Sequence, residues 1–397
     1  MERKLHKPKV VFGRGTGYAL LREIARAKTG VAERLSSKQR KISRGIGVLK
    51  LPVGALVAVL MFLFSVQLLG TATEATTPLL ERLFRQAVVG DTSALGVSWL
   101  ATYLLTNGSV VAALSISVFE SGVVSAEQLF MMVAGSRLGG SAIVVFVGAL
   151  DYFQKKEYSL PSSVSMGLLT FLLTYSVYLP ATVLGYLSLP WLRGRFSTDL
   201  QGFEVGIGSV RLFEPVTVAI TNRLGSLPSF VFAVLFLFGS IRFFDRLLRQ
   251  VETETLRRNL FRRFRRTWLS FLFGILLTGV TTSVAFSLGV IVPLYNRGFV
   301  KRDELVPYIL GANIGTLADT AIVAVVLGSP VGFAVVLFLL LLASVLTVAV
   351  LFFIDDYTRS VATLNDRLLN DRMYFAVFVV SLVLVPLALL LFPLVLV

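Results

Sequence analysis

The chain has 397 residues, 55% of them hydrophobic and 15% charged, and it carries a net charge of +15. Apolar runs of roughly 20 residues, the length of a bilayer-crossing helix, exclude an ordinary soluble fold and are too uninterrupted for barrel strands. The lack of cysteine excludes disulfides, thiolate metal sites and a cysteine nucleophile, the only histidine (His6) sits in a hydrophilic tail, and no P-loop, GxGxxG, HExxH or GxSxG pattern recommends an enzyme.

Residues 1–50 hold 14 Lys or Arg against 3 Glu and read as a basic cytoplasmic tail. Within it, Leu20, Leu21, Ile24 and Leu35 alternate with Arg22, Arg26 and Arg34, a pattern open to two readings, a surface helix on an anionic leaflet or a solvated tail. The first apolar run, 51–73, follows about 50 polar residues and reads as an uncleaved transmembrane helix. Next comes 95–150, a segment at 95–119 with the helix-weakening Thr106-Asn107-Gly108-Ser109 near its middle, then a helix over 128–150. A span at 164–190, an outer loop at 191–227 and a span at 228–247 follow.

A basic cytoplasmic linker occupies 248–267, within a cluster of nine arginines running from Arg242 to Arg266. The second segment of the same kind, 268–328, has Thr281, Thr282 and Ser283 near the middle of 271–295, and the spans 332–354 and 373–397 complete the chain. If both interrupted segments crossed the bilayer, the nine arginines would lie outside, against the positive-inside rule. If both are re-entrant hairpins, 31 of the 38 basic residues fall on the cytoplasmic side, including Lys155, Lys156, Arg297 and Arg359. That topology accounts for the positive charge without nucleic acid and predicts a multi-pass protein of the cell membrane with a cytoplasmic N-terminus.

Sliding the chain by 176 residues aligns Gly122-Val123-Val124 with Gly298-Phe299-Val300, Leu129 with Leu305, Gly135 and Gly139 with Gly311 and Gly315, and Thr102 and Thr106 with Thr278 and Thr282. The fold expected is an all-α polytopic membrane protein of two inverted repeats, each with a re-entrant helical hairpin and a broken helix. Irregular backbone at bilayer depth is tolerated where it lines a cavity, and secondary transporters place substrate there.

The second copy contains Gly311-Ala312-Asn313-Ile314-Gly315-Thr316, preceded by Val292-Pro293-Leu294 and Gly298. This resembles the repeat of the sodium-phosphate cotransporter family (type II, NptA-like proteins), in which a QSSS motif in a hairpin precedes GANIGT in each of two inverted halves. The resemblance covers roughly 95–150 and 268–328. The QSSS position reads Thr282-Ser283-Val284-Ala285 in the second copy and Thr106-Asn107-Gly108-Ser109 in the first, without the glutamine in either. The first GANIGT has become Gly135-Ser136-Arg137-Leu138-Gly139-Gly140. The chain is therefore a divergent member by this resemblance.

The resemblance implies secondary active transport of a small anion, inorganic phosphate or a similar species, by alternating access, with sodium as a possible coupling ion and no other cofactor. It makes Thr282, Ser283, Asn313, Thr316, Asn107 and Ser109 candidate substrate- or ion-binding residues. Arg137 and Asp319 join them as charges inside apolar segments, which cost roughly 2.5 to 3.5 kcal/mol to insert and are normally paired or functional. The same glycines also read as close-packing residues, and the hydroxyls as partners within or between helices. Two other functions remain open from the residues: a non-transporting membrane scaffold or regulator that retains the fold, and a channel.

Overall fold

The computed structural model describes residues 52–84, 86–154, 160–199, 212–248, 266–284, 286–288, 290–291 and 302–396. The chain divides into Met1–Val57, of which only the opening of the first helix is described, and Ala58–Val397. The basic tail with His6, Lys155 and Lys156, most of the arginine-rich linker, Val292-Pro293-Leu294, Arg297 and Gly298 lie outside the described residues.

Among the described residues every regular element is a helix. Seven helices are long and apolar enough to cross a bilayer, over Pro52–Phe84, Ala126–Phe146, Val164–Pro190, Ser226–Leu248, Glu304–Val326, Pro330–Phe352 and Met373–Phe392. The protein is thus an all-α polytopic membrane protein. The backbone chemistry of a bilayer dictates this: with no water to satisfy N–H and C=O groups, each segment must bond to itself.

In chain order the helices are α1 (Pro52–Phe84), α2 (Asp91–Leu105), α3 (Gly108–Glu120), α4 (Ala126–Gln154), α5 (Leu160–Asp199), α6 (Glu214–Leu224) and α7 (Ser226–Leu248). They continue with α8 (Thr267–Thr281), α9 (Arg302–Gly315), α10 (Leu317–Val326), α11 (Pro330–Phe352), α12 (Ile354–Asn370) and α13 (Arg372–Leu396). The spans in α4, α5 and α9–α10 form the centre: their apolar windows are 67–78% buried, against 17–33% for α1, α7, α11 and α13. The outer helices turn Leu235, Leu341 and Val380 outward, as lipid-facing helices do. At the centre, Phe130, Leu173, Tyr178 and Tyr308 are fully enclosed.

The two most extensive helix pairings are α2 with α4 and α8 with α9. Backbone crowding explains why glycine stands in both. A Cβ on Gly135 would fall 2.6 Å from the Leu95 carbonyl oxygen, and one on Gly311 would fall 2.1 Å from that of Phe271. Likewise Gly139 meets the carbonyl of Trp99 and the side chain of Thr102, and Gly315 meets Ile275 and Thr278. Every one of these partners is displaced by 176 residues from its counterpart.

The turns correspond in the same way. The helices α2 and α8 each end at a residue in the left-handed region, Thr106 (φ 51°) and Thr282 (φ 50°), the only non-glycine residues with positive φ among the described residues. A β-branched residue in that region is strained, and the strain recurs at matched positions. One residue later a side chain caps the following helix. Asn107 Oδ1 accepts from the Ser109 and Val110 amides at 2.9 and 3.2 Å, and Ser283 Oγ accepts from the Phe286 amide at 3.1 Å.

Two sequence expectations need correction. The expected broken helix in each copy is absent from the first: α4 runs without interruption through Gly135-Ser136-Arg137-Leu138-Gly139-Gly140. Glycine lowers helix propensity by about 1 kcal/mol but does not force a break, and here its lack of a Cβ admits α2. In the second copy α9 meets α10 at Thr316, whose dihedrals stay helical (φ −66°, ψ −20°) and whose amide still donates to the Ala312 carbonyl at 3.2 Å, so the chain runs on through the motif without a sharp break there either. The stretch expected to be an outer loop, 191–227, is largely helical where described, since α5 continues to Asp199 and α6 follows. Polar contacts hold α6 to α1: the Phe213 amide donates to Gln67 Oε1 at 2.7 Å, and the Thr71 and Thr217 hydroxyls meet at 3.1 Å.

Candidate functional site

The α9–α10 junction at Thr316 organises the site. The Thr316 hydroxyl donates to the Asn313 carbonyl at 2.6 Å, and the Tyr178 hydroxyl of α5 donates to the same oxygen at 2.8 Å. From α4, Arg137 reaches the junction of α9 and α10. Its Nη1 donates to the Thr316 carbonyl at 3.3 Å, its Nη2 to Thr320 Oγ1 at 2.6 Å, and Nη2 stands 3.6 Å from Asp319 Oδ1. Asp319 also accepts from Thr320 Oγ1 at 2.9 Å and from the Ser109 hydroxyl of the first hairpin. Arg137 is 8% exposed and Asp319 5%, so the ion pair is buried; such a pair needs its remaining hydrogen-bonding capacity met to offset desolvation.

Within the pair, Arg137 Nε is left over, and a second donor at the junction is left over too. Arg137 Nε and Asn313 Nδ2 are buried donors with no hydrogen-bond partner among the described residues. These two residues occupy matched positions, 176 apart, in the helices that follow the two hairpins. A buried donor left unpaired costs about 1–3 kcal/mol, so a pair of them at the polar centre of an apolar bundle calls for an acceptor.

The second hairpin turn belongs to a neighbouring cavity of about 180 Å³ bounded by α1, α7, α8 and α10. Its walls are mostly apolar, with Ala58, Phe62, Leu63, Val280 and Ile322, but Thr282, Ser240, Asp245 and Asp319 also line it. The Ser283 hydroxyl donates to Asp245 Oδ1 at 2.5 Å. Each hairpin therefore sends one serine hydroxyl to one aspartate, Ser109 to Asp319 and Ser283 to Asp245.

Of the residues singled out from sequence, Ser109, Arg137, Asn313, Thr316 and Asp319 come together around the α9–α10 junction, while Thr282 lines the adjoining cavity and Ser283 bonds to its Asp245. Asn107 instead caps α3. Sequence reading missed Tyr178, Thr320 and Asp245. Thr320 follows Asp319 directly, and a carboxylate one turn beyond Arg242 was the available signal for Asp245. Arg242 itself, grouped by charge with the linker, donates to Thr106 Oγ1 at 3.4 Å and covers the Phe238 ring at 4.8 Å. Among the described residues no cluster of three His, Cys, Asp or Glu side chains suits a transition metal. The hydroxyl, carbonyl and carboxylate oxygens suit a small hard cation, and the free N–H donors suit an anion.

Residues 235–390 match the Na+/Pi-cotransporter family model. The matched stretch runs from within α7, through the second hairpin and the α9–α10 junction, into α13. No curated protein and no solved structure matches the chain.

Proposed function

We propose, from the match of residues 235–390 to the Na+/Pi-cotransporter family model, that the chain is a membrane transporter of this family and carries a small anion, inorganic phosphate, by alternating access. The observation that carries the substrate reading is the pair of buried, unpartnered donors, Arg137 Nε and Asn313 Nδ2. A phosphate oxygen accepts such bonds strongly, and a guanidinium gives them with charge. Sodium is the coupling ion, taken by oxygens at the cavity that Thr282, Asp245 and Asp319 line.

Alternating access rests on two inverted repeats, 95–150 and 268–328, in a cell membrane with the N-terminus in the cytoplasm. In favour of repeats stand the matched left-handed turns, caps and glycine crossings at the 176-residue offset. In favour of hairpins stands length: α2 and α8 have 15 residues each, and roughly 20 are needed to span the bilayer. The charge distribution supports the inverted orientation.

A ligand screen by thermal unfolding tests the substrate. Phosphate is expected to raise Tm by mass action, more in sodium than in choline, and more than sulfate or carboxylates do. No stabilisation by any of these anions in either salt would remove phosphate as the ligand.

A further inference from the structure

We propose that the Arg137 guanidinium is a built-in cation, seated in an oxygen cage whose chemistry is that of an alkali-ion site, so that this position of the transporter needs no ion of its own. Three oxygens of three kinds receive it: the backbone carbonyl of Thr316 at the α9–α10 junction, a hydroxyl (Thr320 Oγ1) and a carboxylate (Asp319 Oδ1). Backbone carbonyl, hydroxyl and carboxylate oxygens are hard donors of the kind that hold an alkali cation. Here the set is filled from another helix. Both terminal nitrogens of the guanidinium are engaged, and the set lies at the buried centre of the molecule.

The charge arithmetic supports a resident cation. Asp319 is buried at bilayer depth, where a lone carboxylate is unfavourable, and Arg137 is the positive group paired with it. Arginine keeps its charge under all physiological conditions and cannot diffuse away, whereas a bound sodium ion can. The pair occurs in one half only. At the 176-residue offset, Asn313 stands at the place of Arg137 and Ile143 at that of Asp319, so the device does not follow from the repeat. It also divides the guanidinium by function: Nη1 and Nη2 sit in the cage while Nε remains free for an acceptor beyond it.

The inference takes its meaning for coupling from the proposed transport, but its test reads cation binding alone, so either can fail without the other. Wild type, Arg137→Ala and Arg137→Ala with Asp319→Asn are purified in detergent, and Tm is followed against NaCl with choline chloride holding ionic strength constant. Emptying the cage of its guanidinium should let sodium enter. Arg137→Ala is expected to show a saturable sodium-dependent rise at least about twofold larger than that of wild type. The double variant, which lacks the carboxylate, is expected to show a rise no larger than wild type. Recovery of Arg137→Ala from membranes in sodium but not in choline carries the same meaning. A sodium response equal to that of wild type, a gain that persists in the double variant, or loss of Arg137→Ala in both salts would overturn the proposal.

Discussion

Arg242 and Asp245 lie three residues apart on α7, yet each touches a different hairpin turn: Arg242 Nη2 is 3.4 Å from Thr106 Oγ1, and Asp245 Oδ1 is 2.5 Å from Ser283 Oγ. The two turns therefore meet the same helix within one helical turn, at neighbouring places in the 176-residue alignment, which sets Thr106 against Thr282 and Asn107 against Ser283. A carrier that exposes its site to one side and then the other must pass the hairpins across such a contact.

The serine of the better-preserved copy should report on this contact. A hydrogen bond to a charged group contributes about 1.5–3 kcal/mol, and loss of the cap on the Phe286 amide adds to it. Ser283→Ala is expected to raise the KM for phosphate uptake while expression holds, with Asp245→Asn milder because an amide oxygen still accepts. Unchanged KM in Ser283→Ala would reduce Ser283 to a helix cap.

Asn313 carries the prediction for the anion itself. Its carbonyl is held by Tyr178 and Thr316, so Asn313→Ala leaves the backbone contacts in place and removes only the free amide. One net hydrogen bond of about 1–1.5 kcal/mol corresponds to about five- to tenfold in affinity. Phosphate binding by Asn313→Ala, measured by thermal shift or calorimetry, is expected to weaken by that factor. Full affinity would place the anion elsewhere.

Much of this arrangement was legible before any coordinates. Hydropathy revealed the seven long helices because lipid leaves an α-helix no alternative, and Thr106-Asn107-Gly108-Ser109 marked a turn because no apolar helix holds those residues at its middle without cause. Arg137 and Asp319 were readable as partners from their rarity. The continuity of α4 was not readable, since the same glycines that suggest a break also admit a neighbouring helix. Thr320 and Tyr178 were hidden among hydroxyl residues such as Thr174 and Thr182, which bond to carbonyls four residues back. Asp245 was obscured by its arginine neighbours, because charge counting reads a cluster by its sum and not by what each side chain touches.

Glycine crossings offer a test on stability. Adding a methyl at Gly311 forces it against the Phe271 carbonyl, and overpacking of this kind costs about 1–3 kcal/mol. Nothing lies within 4 Å of a Cβ on Gly140, so Gly140→Ala is expected to match wild type or exceed it slightly in thermal unfolding. Gly311→Ala and Gly135→Ala should both melt lower, and equal stability of all three variants would contradict the tight α2–α4 and α8–α9 crossings.

The proposed inverted orientation of the halves depends on which side the arginine-rich linker faces. The chain has no cysteine, so a single one placed at position 260 can be labelled cleanly. An impermeant maleimide is expected to reach it only from the cytoplasmic side. Labelling of intact cells from outside would overturn the topology and the inverted repeat together.

Transport is tested most directly by uptake of radiolabelled phosphate into proteoliposomes of the purified protein under an imposed inward sodium gradient, with choline as the control. The account predicts saturable uptake above that of protein-free vesicles, larger with the sodium gradient and depressed by Ser283→Ala and Asn313→Ala. Folded protein that moves no phosphate in either salt would contradict it, and would leave a membrane scaffold that keeps the transporter's architecture.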